Sequence, residues 1–119
     1  MTYFEKSKDL HDMIMNGQLL EGFDKYYHED VVMTEPRGTR EGKKACREYE
    51  EQFLGMIKEF HGMDIKAMAA NEETGQVFIE SGMDVTFQDG NRANLVQVSV
   101  QKWEGDQIVR EEFYYDNQG

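Results

Sequence analysis

The sequence predicts a segregated α+β domain, three helices leading into an antiparallel meander, and three observations carry that prediction. Apolar residues recur at three- and four-residue spacing as far as Phe60. From Met63 onward they alternate at period two, and Asp89-Gly90 and Gly105 fall where hairpins need turns. At 119 residues the chain fits one domain, 1–119, long enough to bury a core without disulfide staples.

Each element has its own signal. Thr2-Tyr3-Phe4-Glu5 has the Thr-x-x-Glu form of a capping box, and Leu10, Met13 and Ile14 continue a helix that should end near Asn16-Gly17. Leu19, Leu20, Phe23, Tyr26 and Tyr27 repeat the spacing, which predicts a shorter helix from Gln18 to His28. "DVVMTEP" then reads as an extended run stopped by Pro36, and the proline holds Glu35 out of helical geometry. After Gly42, the set Ala45, Cys46, Tyr49, Phe53, Met56, Ile57 and Phe60 predicts one long helix ended by Gly62. Strands follow as "MDIKAMAA", "GQVFIESGMDVTFQ", "RANLVQVSVQKWE" and "DQIVREEFYYD".

The formal charge of −11, from 24 acidic and 13 basic side chains, repels phosphate backbones, so neither nucleic acid nor an anionic membrane is an expected partner. The first residues lack an apolar leader and no run is long enough to span a bilayer, which reads as a cytoplasmic protein. The one cysteine, Cys46, sits in an apolar stripe and reads as a small buried hydrophobe. The histidines show no zinc-ligand spacing, and His28 and His61 read as residues at helix ends. No phosphate loop or nucleophile elbow occurs, so neither a metal nor a cofactor is expected.

Taking Asp89-Gly90 as a two-residue loop sets Gln88 opposite Asn91 and Asp84 opposite Leu95. One sheet face then carries Glu80, Asp84, Gln97 and Ser99; the other carries Met83, Val85, Phe87, Val96, Val98 and Val100. Pattern alone turns the apolar face toward the helices and the polar face toward water.

A helix-helix-strand start ending in "YYHEDVVMTEPRGTREG", a long helix, and a meander closing on "VSVQKWEGDQIVREEFYYD" resemble the SnoaL-like and ketosteroid-isomerase-like branch of the nuclear transport factor 2-like superfamily. The resemblance implies a cone, a curved antiparallel sheet wrapped around three N-terminal helices (a cystatin-like fold), with an apolar pocket inside. It also implies a homodimer packed sheet to sheet, which would reverse the assignment of faces: Met83, Val85, Val96, Val98 and Val100 would meet a partner copy, and Glu80, Asp84, Gln97 and Ser99 would look into the pocket.

The resemblance also implies site residues. Glu35 matches the proton-shuttling carboxylate before Pro-x-Gly, and a carboxylate in an apolar cavity is a competent base near neutrality. Its alternative is a turn carboxylate paired with Arg37 or Arg40. His11, or Asp12 beside it, and Ser99 fall where the isomerases keep their oxyanion donors, and Glu111 on the last strand would be a second acid/base group, sharing its face with Phe113 and Tyr115. Tyr27 and Phe53 would be pocket walls. The expectation is a homodimer that binds a small apolar molecule and, as an enzyme, transfers protons on a carbonyl compound without a cofactor. The alternative is an assembly module whose pocket is vestigial.

Overall fold

The computed structural model describes residues 1–116. Its elements run α1 (Tyr3–Met15), α2 (Leu19–Tyr26), β1 (Tyr27–Glu35), β2 (Gly38–Glu41), α3 (Lys43–Met56), β3 (Ile57–Asn71), β4 (Gln76–Phe87), β5 (Arg92–Glu104) and β6 (Gln107–Tyr114). The predicted capping box forms: Thr2 Oγ1 accepts from the Glu5 amide and Glu5 Oε1 accepts from the Thr2 amide. One six-stranded sheet, in the order β2-β1-β6-β5-β4-β3, curves around the helices. It is antiparallel except where β1 and β6 run parallel. None of the described helices is long and apolar enough to cross a membrane.

Two helices end earlier than their periodicity predicts, because sheet pairing takes over the shared residues. Tyr27 leaves α2 to pair with Ile108, so His28 stands on β1, where its Nδ1 accepts from the Asp30 amide. Ile57 leaves α3 to pair with Phe87, and the Gln88 amide donates to the Met56 carbonyl. Phe60, His61 and Gly62 therefore belong to β3. His61 Nε2 bonds Thr86 Oγ1 at 2.7 Å, and Gly62 marks a register shift against β4 instead of a helix cap.

The β4–β5 hairpin is offset by one residue from its predicted register. The Phe87 amide donates to the Asn91 carbonyl and the Gly90 amide to Phe87, leaving Gln88, Asp89 and Gly90 as a three-residue loop. Gly90 takes the left-handed conformation (φ 90°) that such a loop requires. Met83 now faces Leu95, Ser81 faces Gln97 and Ile79 faces Ser99.

A shift of one residue moves each β4 side chain relative to its β5 neighbours. Met83 and Val85 join Gln97 and Ser99 on the inner face, where Val85 is fully buried. Glu80 and Asp84 go to the outer face with Val96, Val98 and Val100; Glu80 is exposed and Asp84 is held by the Arg92 guanidinium at 3.0 and 2.8 Å. Neither the pattern-based faces nor the family-based ones survive intact. The inner face is mixed, apolar toward the core and polar toward the middle of the sheet.

The core lies where the inner face meets α1 and α2, around Leu10, Phe23, Tyr26, Val31, Ile79 and Trp103. Tyr26 meets Trp103 edge-on at 5.4 Å, and Phe23 stacks on Tyr27 at 4.5 Å. Cys46 is fully buried here as a small apolar side chain.

Candidate functional site

Between α1, α3 and the middle of the sheet the side chains leave a cavity of about 620 Å³. Its size suits a small organic ligand. Leu10, Ile14, Phe23 and Phe53 supply helix walls, and Met83 and Leu95 supply part of the sheet wall. Of the residues expected from the sequence, Glu35, Ser99, Glu111 and His11 all line it, as do Tyr27, Phe53, Gln97, Phe113 and Tyr115; Glu80 and Asp84 do not, for the reason of register given above.

At the inner end stands Glu111, buried on β6. One of its oxygens accepts from the Tyr27 hydroxyl; the other accepts from Ser99 Oγ at 2.7 Å and Gln101 Nε2 at 3.1 Å. The amide of Gln101 is oriented from behind, because its Oε1 already accepts from Ser7 Oγ at 2.7 Å and Trp103 Nε1 at 3.1 Å. Burial, then the neighbouring Glu111 charge, pushes the Tyr27 phenol well above its ordinary range, so it remains a donor. Ser99 therefore gives its hydrogen to Glu111 and holds none for a ligand.

Glu35 ends β1, where it pairs with Gly38 across the Pro36-Arg37 turn. Its Oε2 accepts from Tyr115 at 2.6 Å and from Tyr49 at 3.3 Å, and Oε1 lies 3.7 Å from Arg40 Nη1. Arg40 also lies over the Tyr49 ring at 3.5 Å, and its buried Nε has no partner among the described residues. Burial and the Glu35 carboxylate push Tyr115 up to about 12 and raise Tyr49 by the same causes. Glu35 thus lines the cavity and is ion-paired with Arg40 at the same time, as its reading as a turn carboxylate expected.

A third acid, Glu50, was missed by the sequence reading. It projects from α3 into the same space, half-buried, with no hydrogen bond or ion pair to another described residue. Burial, with Glu111 and Glu35 adding repulsion against a partial offset from Arg40, pushes its carboxyl up to about 7. The signal was present in the sequence. Glu50 sits four residues after Cys46 and three before Phe53, so it occupies the apolar stripe of its helix where a carboxylate has no packing reason to be.

His11 departs from its expected role in another way. Its Nδ1 lies 2.8 Å from the Ser7 carbonyl, which can only accept, so Nδ1 carries the hydrogen and Nε2 of the neutral ring is an acceptor. In that tautomer Nε2 has no hydrogen to give, where a polarising donor was expected. Asp12, the alternative, faces out and pairs with Lys8.

Residues 8–111 match the family model of the SnoaL-like domain. Among solved structures, a candidate SnoaL-like polyketide cyclase from Mesorhizobium loti is 26% identical, with 97% of this chain and 100% of that one covered at a TM-score of 0.82. A candidate isomerase from Bacillus subtilis is 18% identical over 98% of this chain and 90% of its own, at a TM-score of 0.83. TerC, crystallised with polyporic acid, is 17% identical over 96% and 91%, at 0.79. The last two share the fold. No curated protein matches the sequence.

Proposed function

The chain belongs to the SnoaL-like domain family, and on that footing we propose that it binds a small, largely apolar carbonyl compound in its cone and moves a proton on it without a cofactor. The observation that carries this reading is Glu50: a carboxyl poised at about 7, without a partner among the described residues, in a cavity whose walls are largely apolar side chains. A general base works best with its pKa near the working pH. Glu111 and Glu35 are committed to their own donors, so the roles first given to them pass to Glu50, which their charges repel.

In the step proposed, ionised Glu50 takes a proton from the carbon beside the carbonyl. The C–H pair shifts to form the enol double bond, and the carbonyl oxygen becomes an enolate, for which Gln97 is the amide donor facing the space. Protonated Glu50 then returns the proton, at the same carbon for an exchange or at a conjugated carbon for an isomerisation. The name of the Mesorhizobium loti relative makes cyclic ketones and aromatic polyketides the first compounds to try. The unfilled cavity supports this reading over an assembly module.

The reading includes a homodimer in the cytoplasm, formed through the outer face where Phe78, Val96, Val98 and Tyr114 are exposed. Met83 and Val85 are no part of that face. A solution mass twice that of the chain at micromolar concentration is expected; a monomer would contradict it.

The catalytic part is checked by following deuterium uptake beside the carbonyl of 2-tetralone in D2O by proton NMR. The wild type should accelerate exchange, and Glu50→Gln should slow it by about 100-fold or more. Equal rates in the two proteins would remove Glu50 from the chemistry.

A further inference from the structure

We propose that the ligand of this cavity carries a protonated amine on its apolar body. The inference rests on reading the cavity as a ligand site and adds the charge class of what enters it.

The first ground is charge. Among the described residues, four acids line the space, Glu35, Glu50, Glu111 and Asp116, against one guanidinium, Arg37. Arg40 stands beside Glu35 and is stacked on Tyr49, so it pairs with that carboxylate and offsets the charge at Glu50 only in part. The balance inside is negative, and low-dielectric walls strengthen the field it makes. An anionic ligand would meet these carboxylates at close range, while a cation would relieve the repulsion that Glu35 and Glu111 exert on Glu50.

The second ground, independent of the first, is hydrogen-bond valence. The deep donors are spent: Tyr27, Ser99 and Gln101 on Glu111, Tyr115 and Tyr49 on Glu35. What is unspent is acceptor capacity. Glu50 has no partner among the described residues, and His11, only 6% exposed, keeps a lone pair on Nε2 after giving Nδ1–H to Ser7. Ser81, Asn94 and Gln97, which also line the space, act as donor or acceptor and do not decide the matter, and Arg37 is already engaged in an interaction of its own. An ammonium supplies both the N–H donors and the charge these groups lack. Aromatic side chains at Phe23, Tyr27, Phe53 and Phe113 line the same space, and aromatic rings attract a cation.

The proposal has a pH signature. Glu50 is faced by Glu111 from β6, Glu35 from β1 and Arg40 from β2, with Tyr27, Tyr49 and Cys46 close by and His11 lining the cavity from α1. Burial raises Tyr27, Tyr49 and Cys46, so they stay neutral while Glu50 titrates. A cation favours ionised Glu50, so amine binding strengthens from pH 6 to pH 8 and releases a proton.

The test compares 4-phenylbutylamine, 4-phenylbutanol and 4-phenylbutanoate by calorimetry on the full chain at both pH values. The amine should bind at least 10-fold more tightly than the alcohol at pH 8, the carboxylate least, and the advantage should shrink at pH 6 and in Glu50→Gln. Saturating alcohol should displace the amine, showing that the two share the cavity. If the alcohol binds as well as the amine, or fails to displace it, the amine assignment falls while the cavity keeps its role. If no probe binds, both readings fall together.

Discussion

Glu111→Ala should lower unfolding stability by about 4 kcal/mol. The carboxylate it removes accepts from three buried donors, on Tyr27, Ser99 and Gln101. Each donor left without a partner costs about 1–3 kcal/mol, although water entering from the cavity recovers part of that. Gln101 cannot turn to escape, because Ser7 and Trp103 fix its other end. A domain of this kind has only about 5–15 kcal/mol in total, so the loss is a large fraction of it. Urea unfolding gives the number. A change below about 1 kcal/mol would mean that the network does not hold the inner end of the cavity together.

Glu50→Gln should do the opposite at alkaline pH. The carboxyl titrates at about 7 in the folded chain against an ordinary value of 4.5, so the folded state holds its proton more tightly than the unfolded one. A raised folded pKa gives stability that is fully present below the unfolded value and lost as pH rises through the folded one. Above pH 8 the wild type therefore carries an ionised carboxylate in its cavity that Arg40 compensates only in part, at a cost of about 2 kcal/mol once solvent access to a half-buried group is allowed for. The glutamine variant never ionises. Its Tm should exceed that of the wild type by several degrees at pH 8.5 and match it near pH 4.5. A variant no more stable at pH 8.5 would show that Glu50 is compensated. A stabilising substitution at the residue assigned the chemistry is the trade expected where function keeps a group in an unfavourable place.

Much of this fold was legible because it rests on local pattern. The Thr2–Glu5 capping box, the α1 stripe and the strand alternation after Met63 are each set by residues close in sequence. Boundaries failed where a distant partner decided them: Ile57 and Phe60 fit the helical period of α3, and only their pairing with Phe87 and Val85 makes them strand. The hairpin register failed because Asp-Gly fits two loop lengths, and one residue more in the loop changed which side chains share a face.

The site divides along the same line. Glu35, Ser99, Glu111 and His11 were placed by resemblance and do line the cavity, yet their hydrogen-bond roles depend on neighbours far away in the chain, such as Tyr115 for Glu35. Glu50 needed no distant partner to be noticed, only the question of why a carboxylate stands in an apolar stripe. Tyr49 and Gln101 were hidden differently: their polar ends matter only because the sheet brings Glu35 and Glu111 to them.

Glu50 has no partner among the described residues and is poised to exchange a proton with a bound molecule, and its titration is directly observable. Carbon-13 NMR of the glutamate carboxyls from pH 4 to pH 9, assigned by loss of one resonance in Glu50→Gln, should show that carboxyl titrating at about 7. A Glu50 carboxyl that titrates below about 5, within the range of exposed glutamates, would show that the cavity does not hold it ready as a base.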